Sequence, residues 1–504
     1  TFKEGGTNFT NSLLVGTSAT GTLNAAEGNT GVGIGVFGAL TTGDNNVAVG
    51  LNALDLNTTG VDNVAVGKSA LAANTTGQQN VALGKDALVA NTTASDNTSI
   101  GFKTLEATIT GACNVAVGSE ALRVNTAGFN TAIGYTVLTN NSSGSYNVGV
   151  GYLALEDNTT AGDNTAIGSF NLRNNTTGHS NSSVGYNAMA ANTTGDNNVS
   201  IGLESLQSNT TASNNTAVGM NSLRKTTTGD TNTAVGVSSG ACNTTGEHLT
   251  AIGFEALKAH TTAAGNTAVG YRALVSNTTG STNVAVGKLA LEDNTTGQCN
   301  TAMGNDALAG NTTAAKNVAI GRVALKSATT GGCNSTLGHS AGCNITTGSQ
   351  NTMLGHLTRT NAVGDDNNVV IGGNNVGKGN NTGFINASEG SIYQGNNNSA
   401  WATTSDRRIK KNIVDNNIGL DKISQIQVRN FEYRIEEEIT DFENAESAVV
   451  KKEGIQLGAI AQEIETILPD VVIEESTGVK RLDTTNLTWY MINAIKELNE
   501  KIKV

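Results

Sequence analysis

The chain has 504 residues, of which 14% are charged and 4% aromatic, and it holds 61 glycines but a single proline, Pro469. This composition argues against a conventional metabolic enzyme, and an apolar fraction of 37% at regular spacing argues against a disordered linker. The net charge of −12 argues against nucleic-acid binding. The sequence also contains no apolar run of about 18 residues that would predict a membrane span.

From residue 29 onward, the chain repeats a unit of seventeen residues built around the pattern Asn, any residue, small residue, apolar residue, Gly. The glycines of this pattern run from Gly33 to Gly372 in 21 repeats, with a single sixteen-residue step between Gly118 and Gly134. Asparagine stands four residues before the glycine in 20 of the 21 repeats, and Leu249 is the exception. An apolar residue always directly precedes the glycine.

A second apolar position lies four residues after the glycine and holds Leu, Met or Phe in 17 of the 21 repeats. The alternation of the first motif predicts a short β-strand, and the turn-like Asn-Thr-Thr-Gly between the motifs predicts one coil of two short strands per repeat. One coil cannot bury its own apolar residues, so successive coils must stack at about 4.8 Å and form a rod of roughly 100 Å. The missing residue of the sixteen-residue step is expected in a turn.

Composition divides the chain into four segments. Residues 405–504 hold 33 of the 72 charged residues and lack the repeat, which predicts a separate C-terminal domain. The repeats at 29–376 form the shaft, a parallel β-solenoid, and 1–28 form an N-terminal segment with a degenerate capping repeat. Residues 377–404 are predicted to be an irregular connector. The predicted fold class is therefore mainly β, with a small α/β domain that ends in a helix.

The side chains of the shaft predict no metal or cofactor site. The five histidines share no metal-ligand spacing, and the five cysteines form neither a Cys-x-x-Cys pair nor an even framework. Polysaccharide degradation would need paired carboxylates in a groove, and the acidic pairs Glu156–Asp157 and Glu292–Asp293 lie in two nearly identical segments. A solvated face of the repeat is the simpler interpretation of both pairs.

The C-terminal domain opens with Ser-Asp-Arg-Arg-Ile-Lys-Lys-Asn-Ile at residues 405–413, directly after Trp-Ala-Thr-Thr. Two further motifs follow, Val-Arg-Asn-Phe-Glu-Tyr at 428–433 and Gly-Ala-Ile-Ala-Gln-Glu at 458–463, the latter ahead of Leu468-Pro469. In this order they resemble the intramolecular chaperone domain of endosialidases and related fibres. The shaft pentads resemble the head repeats of trimeric autotransporter adhesins, which are parallel β-rolls.

The resemblance to the endosialidase chaperones implies a homotrimer whose C-terminal domain guides folding and is then released by self-cleavage. It implies that Ser405 is the nucleophile, that Lys410 is its general base, and that the Thr404–Ser405 bond is cut. A serine hydroxyl needs such a base, and a lysine can serve once its setting lowers its pKa. Arg407, Arg408 and Lys411 are candidates for that cationic setting.

The last stretch of the chain is predicted to be a helix with an apolar stripe. The stripe suits either a short helical bundle between chains or packing onto its own domain, and it consists of Leu487, Met491, Ala494, Ile495, Leu498 and Ile502.

The expected function is that of a structural and host-attachment fibre on a virion, extracellular when mature. Its expected partners are two further copies of the chain, tail or capsid attachment proteins, and a host-surface receptor that is a glycan or a surface protein. The only enzymatic activity expected is that of a self-cleaving serine peptidase. Two alternatives remain open, a cellular trimeric surface adhesin and a polysaccharide-degrading spike.

Overall fold

The computed structural model describes residues 2–4, 8–16, 21–386, 391–394, 407–439, 452–474 and 479–503. The chain divides into two compact units, Thr1–Thr404 and Ser405–Val504. Each unit has its own architecture.

The first unit is a parallel β-solenoid in which every seventeen-residue repeat contributes one three-residue strand. The strands before the repeats are β1 (Phe2–Glu4), β2 (Phe9–Thr10), β3 (Leu13–Val15) and β4 (Ala26–Glu27). The strands of the repeats, β5 to β25, are Thr30–Val32, Val47–Val49, Val64–Val66, Val81–Leu83, Thr98–Ile100, Val115–Val117, Thr131–Ile133, Val148–Val150, Thr165–Ile167, Ser182–Val184, Val199–Ile201, Thr216–Val218, Thr233–Val235, Thr250–Ile252, Thr267–Val269, Val284–Val286, Thr301–Met303, Val318–Ile320, Ser335–Leu337, Thr352–Leu354 and Val369–Ile371. Strands β26 (Gly383–Asn386) and β27 (Ser391–Gln394) follow them.

Each repeat strand pairs in parallel with the equivalent strand of the next repeat, so that Val47 lies opposite Val64. The predicted solenoid of seventeen-residue coils is thereby confirmed. Strand β3 stacks on β5 as one more coil, and β26 stacks on β25 after a shorter, fourteen-residue step from Val369 to Gly383. The antiparallel strands β1 and β27 occupy the two edges of this sheet, which limits edge-to-edge association of rods.

The prediction of a second strand in each coil is wrong. The segment after the glycine is a run of turns in which Asn52 has a φ of 55° and Leu54 a φ of 49°, and the equivalent positions of most coils behave likewise. Bulky residues rarely adopt this left-handed conformation. It is held here by hydrogen bonds to the next coil, from Leu54 N to Ala70 O and from Leu56 N to Ala72 O, both 3.0 Å.

The sixteen-residue step leaves the sheet register intact, since Val115 pairs with Thr131. In a full coil, Asn57 Nδ2 donates to the Gly60 carbonyl oxygen, three residues on, at 3.0 Å. In the short coil, Asn125 Nδ2 reaches the carbonyl oxygen of Ala127, two residues on, at 2.7 Å. The deletion therefore lies in the turn after Asn125.

The interior of the shaft combines small apolar side chains with two ladders of buried carboxamides. Ala48, Ala53 and Leu54 fill one coil and are fully buried. Asn46 donates from Nδ2 to the Asn29 Oδ1 of the coil before, at 3.1 Å, while its own Oδ1 accepts from the backbone nitrogen of Asn63 at 3.0 Å. Each asparagine in this position thus links three coils, and it also donates across its coil to a turn carbonyl.

The second ladder lies seven residues after the glycine, a position that holds asparagine in 13 of the 21 coils, and there Asn74 Nδ2 donates to Asn57 Oδ1 at 2.9 Å. The two ladders converge on the Gly60 carbonyl oxygen, which accepts from Asn46 Nδ2 at 2.9 Å and from Asn57 Nδ2 at 3.0 Å. Buried carboxamides are tolerated only when they are hydrogen-bonded. Asn57 and its counterparts are therefore structural residues, although many of them begin an Asn-x-Thr triplet.

The repeat glycine ends each strand in a conformation that other residues rarely adopt. Gly50 has a φ of 135°, and a Cβ there would lie 2.5 Å from the carbonyl oxygen of Gly67 in the next coil. Both the backbone geometry and the close approach of the next coil therefore require glycine.

One coil breaks both carboxamide ladders. In the Gly253 coil, Leu249 replaces the first asparagine and the fully buried His260 stands in the column of the second. His260 Nδ1 lies 3.2 Å from Asn243 Oδ1, and its Nε2 lies 3.3 Å from Asn266 Nδ2. A neutral imidazole with its hydrogen on Nδ1 satisfies both contacts, so Nε2 replaces the amide oxygen that Leu249 lacks.

Burial lowers the pKa of His260 to about 4 from its ordinary 6.5, against a smaller opposing effect of a hydrogen bond with the Ala263 backbone. Between pH 6.5 and 4 the unfolded chain therefore binds more protons than the folded one. The stability that this residue contributes is complete above pH 6.5 and falls as the pH drops towards 4. The lowering of the His260 pKa from 6.5 to about 4 corresponds to about 3 kcal/mol of folding free energy that is lost at low pH.

Replacing His260 by Asn is expected to restore the second ladder and to remove this acid sensitivity. Thermal unfolding of the full chain at pH 7.5 and pH 4.5 should show a smaller loss of stability for His260→Asn than for the wild type. His248→Asn, which changes an exposed histidine of the same region, serves as the control and should behave as the wild type. Equal acid sensitivity of all three proteins would contradict the role assigned to His260.

The described residues of the C-terminal unit form a small α/β domain. Its helices are α1 (Leu420–Ile423), α2 (Ala461–Ile467) and α3 (Thr484–Ile502), with 3-10 turns at Arg407–Ile409, Glu436–Glu438 and Pro469–Val471. Its strands form two antiparallel pairs, β28 (Arg429–Phe431) with β29 (Gln456–Gly458) and β30 (Val472–Glu474) with β31 (Lys480–Leu482).

Candidate functional site

The C-terminal domain has a core of its own, formed by α2, the turn that follows it and the first half of α3. Ile464, Leu468 and Val471 are buried together with Tyr490 of α3. The Tyr490 hydroxyl donates to the Asp470 carboxylate, and this bond and burial raise the pKa of the tyrosine. Helix α3 is thereby fixed to the turn beside Pro469.

Two of the motifs that are distant in sequence meet in this domain. Strands β28 and β29 pair so that Arg429 lies opposite Gly458. The Arg429 guanidinium also forms a two-point contact with Glu463 of α2, from Nη2 to Oε1 at 2.9 Å and from Nε to Oε2 at 3.2 Å. Such paired contacts fix direction as well as distance, so these motif residues have a structural role.

The second half of α3 holds the segment that leads from the candidate catalytic residues into the domain. Asn493 Nδ2 donates to the Asn416 carbonyl oxygen at 2.7 Å, and the backbone nitrogen of Leu420 donates to Glu497 Oε2 at 3.1 Å. A Cβ on Gly419 would lie 2.6 Å from the backbone nitrogen of Ala494, so only glycine allows this approach.

The structure places one member of the predicted dyad. Lys410 is exposed and directly follows the 3-10 turn at Arg407–Ile409, where its backbone nitrogen donates to the Arg407 carbonyl oxygen at 3.2 Å. Arg408 and Lys411 are also exposed, which makes this short segment strongly basic. Thr404 and Ser405 lie outside the described residues, so the pairing of Ser405 with Lys410 stays a prediction.

Three of the four carboxylates in the acidic pairs of the shaft, those of Glu156, Asp157 and Glu292, lie in contacts between coils. Glu156 Oε2 accepts from Arg173 Nε of the next coil at 2.8 Å, and Asp157 Oδ1 accepts from Asn140 Nδ2 at 3.1 Å. Glu292 forms an ion pair with Arg272 at 3.3 Å. These contacts support the interpretation of both pairs as parts of a solvated face of the repeat.

The sequence analysis missed the outward face of the shaft strands. Each repeat strand buries only its middle residue, as Ala48 does, while the residues on either side, Val47 and Val49, face outwards and are partly exposed. The residue before the glycine is apolar in every coil, and Leu337 is 50% exposed. This outward face could have been predicted from the sequence, because the alternation of a strand places the small and the large apolar residues on opposite faces.

Within the described part of the chain, no helix is long and apolar enough to cross a membrane. The same residues contain no group of three His, Cys, Asp or Glu side chains that could hold a metal ion.

Comparison with known proteins finds a similarity for most of the C-terminal domain. The model of the family described as chaperone of endosialidase matches residues 405–473. The match starts where the C-terminal compact unit starts, and it includes Lys410, the β28–β29 pair and the Arg429–Glu463 contact. No curated protein matches the chain, and no solved structure matches it.

Residues 405–473 thus match the chaperone of endosialidase family, and a long parallel β-solenoid followed by such a domain fits a tail fibre with a C-terminal chaperone.

Proposed function

We propose that the chain is the subunit of a homotrimeric attachment fibre of a virion, whose C-terminal domain assembles three shafts and then cuts itself off. The observation that carries this proposal is the chaperone of endosialidase match, which begins directly after the solenoid unit. Members of that family are expected to act as trimers. Two apolar surfaces, one on the shaft and one on α3, support the same assembly.

The first surface is the outward face of β5 to β25. The residues before the glycines and those two positions earlier, such as Val284 and Val286, are Val, Ile, Leu, Met, Thr or Ser, and none is charged. At about 4.8 Å per strand, this face is about 100 Å long and about 7 Å wide, roughly 700 Å². Monomeric proteins rarely expose so large a patch. Three parallel copies would cover it by turning their sheets towards a common axis.

The second surface is part of the apolar stripe of α3. Some residues of this stripe pack onto the domain itself, and the others are exposed and available to a helical bundle between chains. Leu487 and Ala494 face the domain itself, and Ala494 is buried. The other four residues of the stripe are exposed, at steps of four, three and four residues, namely Met491, Ile495, Leu498 and Ile502. That spacing is the a/d pattern of a coiled coil, so α3 is suited to pair with α3 of two other copies.

Placing charges on this exposed stripe is expected to prevent assembly. In the double variant Ile495→Asp, Leu498→Asp, each copy would have to bury two unpaired carboxylates in the helical bundle, which is strongly unfavourable. Size-exclusion chromatography with light scattering should find trimers for the wild type and monomers or aggregates for the variant. Asn499→Asp adds a charge beside the stripe and should leave the trimer intact. A trimeric double variant would contradict the proposed bundle.

The proposed cleavage is an acyl transfer followed by hydrolysis. The Ser405 hydroxyl attacks the Thr404 carbonyl carbon while Lys410, as a neutral amine, takes the hydroxyl proton and returns it to the departing backbone nitrogen. The resulting ester reacts with water, which gives a carboxylate at Thr404 and an amine at Ser405.

Freshly expressed chain is therefore expected to separate into fragments 1–404 and 405–504. Ser405→Ala and Lys410→Ala should remain uncut and still form trimers, because neither change touches the assembly surfaces. Lys411→Ala removes an adjacent positive charge and should still be cut. Intact-mass spectrometry reads all four proteins. A cut Ser405→Ala variant, or a cut at another bond, would contradict the dyad.

A shaft released in this way no longer contains the domain that aligned it, so assembly becomes hard to reverse. The remaining part is a long, uniform rod with net negative charge, whose role is attachment to a host-surface receptor. The chemistry on which this proposal rests is that of assembly and self-processing. Glu156, Asp157 and Glu292 lie in ion pairs and hydrogen bonds between coils, which favours no glycan-degrading role for the acidic pairs of the shaft.

A further inference from the structure

The regular repeats of the shaft leave the register between neighbouring copies ambiguous. Three in-register rods that slide by one coil, about 4.8 Å, regain nearly all of their contacts, because the same residue types recur in every coil. A mark that occurs once along the rod would remove this ambiguity. The aromatic residues of the shaft provide such a mark.

Aromatic side chains are concentrated in one section of the shaft. Ten of the chain's aromatic residues lie between residues 29 and 376, and six of them lie between 129 and 186. Five of these six occupy the two corners that flank each strand, one five residues before the glycine and one directly after it, and Phe170 stands two residues after Gly168. The six are Phe129, Tyr135, Tyr146, Tyr152, Phe170 and Tyr186.

Only the Gly134 and Gly151 coils have an aromatic residue at both corners. At the first corner Phe129 stacks on Tyr146, with ring centroids 5.1 Å apart and planes inclined by 9°. At the second corner Tyr135 stacks on Tyr152 at 5.6 Å and 12°. These four rings are between 45% and 60% exposed. Exposed aromatic surface does not stabilise an isolated rod, so it points to a contact with another molecule.

Three-fold symmetry brings the two corners together. When parallel copies turn their sheets towards a common axis, the first corner of one copy lies beside the second corner of its neighbour, because a cyclic interface is heterologous. In register, both aromatic pairs then stand at the same height. This step rests on the proposed function.

We propose that the Phe129–Tyr146 pair of one copy packs against the Tyr135–Tyr152 pair of the next, and that these three identical contacts fix the register of the trimer. When one copy slips by one or two coils, one ring of its first-corner pair comes to lie opposite Ser119 at one of its two interfaces, while at the other interface the pair meets Phe170 and Tyr186, which continue the second column. The short coil before Gly134 reinforces the mark, since its shorter turn after Asn125 occurs once in the shaft. The partner surface is a second copy of this chain.

The chain supplies a matched control for this proposal. Phe254 and Tyr271 also stand directly after their glycines and stack at 5.5 Å and 9°, much as Tyr135 and Tyr152 do. At the opposite corner of the same coils, however, stand His248 and Gly265, which are not aromatic. Loss of either stack removes one parallel ring contact within one chain, and loss of Tyr152 also removes its edge contact with Phe170. Only the Tyr135–Tyr152 stack has an aromatic counterpart on the neighbouring copy, so the register is the readout that separates the two variants.

Native Cys113 allows the register to be read by disulfide formation. Cys113 is exposed at the first corner of the Gly118 coil, and Ser119 stands at the second corner of the same coil. Within one chain the width of the strand, at about 3.3 Å per residue, separates these corners beyond the roughly 7 Å that a disulfide spans. A bond between Cys113 and a cysteine at 119 would therefore join two copies that are in register.

The experiment uses the full chain with Cys242, Cys299, Cys333 and Cys343 changed to serine. Mild oxidation of trimers that also carry Ser119→Cys should give chains linked between copies, whereas Phe102→Cys, one coil earlier, should give few. Adding Tyr135→Ser and Tyr152→Ser should raise the linked fraction for Phe102→Cys at the expense of Ser119→Cys, and should lower the melting temperature of the trimer. Adding Phe254→Ser and Tyr271→Ser should produce a smaller shift in melting temperature and no change in register.

Trimers that fail to link through Ser119→Cys would overturn the proposal, because the two corners would then not meet. Equal effects of the two double serine variants would overturn it as well, including the case in which the exposed rings instead bind a glycan. A chain that is not trimeric would overturn the proposed function itself, and light scattering on the same samples separates that outcome from the other two.

Discussion

The shaft depends on a single recurring interaction, the hydrogen bond between a buried asparagine carboxamide and the coil before or after it. A coil of seventeen residues has too few side chains to form a core by itself, and the small alanines inside it leave backbone polar groups that water cannot reach. Asn46 and its counterparts satisfy these groups and bind each coil to its neighbours. Because an unsatisfied buried amide is costly, the ladder favours stacking in one register within the chain.

The same ladder explains why the strands can be so short and so apolar on their outer side. The coils are held together along the rod by the carboxamide ladders, by backbone pairing and by the buried leucine four residues after the glycine. The residues at the outer strand positions are therefore not needed for the core of one chain. Their aliphatic character suits an assembly of several chains. The C-terminal domain shows a similar division, since one side of α3 packs on Val471 and Leu468 while the other side remains exposed.

Sequence reasoning predicted the period, the parallel stacking and the identity of the C-terminal domain, because each rests on a pattern that physical chemistry restricts to few structures. It failed where a residue adopts a conformation against its own preference. Leu54 was expected in a second strand, but contacts with the next coil hold it in the left-handed region. It also did not foresee the role of His260, whose column in the second ladder becomes visible only when coils are superimposed.

Of the predicted dyad, the structure describes Lys410 but not Ser405. Lys410 lies in an exposed basic segment at the start of the chaperone domain, as the motif implied, while the candidate nucleophile Ser405 and the bond before it stay predictions. The roles of Arg429 and Glu463 were not predicted, since only the pairing of β28 with β29 brings these two motifs together.

The central claim is that three shafts pack through the outward faces of their strands. Distances between spin labels on different copies of the full chain, freed of its native cysteines, test it most directly. One protein would carry the label at Val218→Cys, on the outward face of its strand, and another at Thr228→Cys, in an exposed turn of the same coil. The account predicts a clearly shorter distance between copies for the label at 218. An equal or longer distance at 218, or no distance between copies at either position, would contradict it.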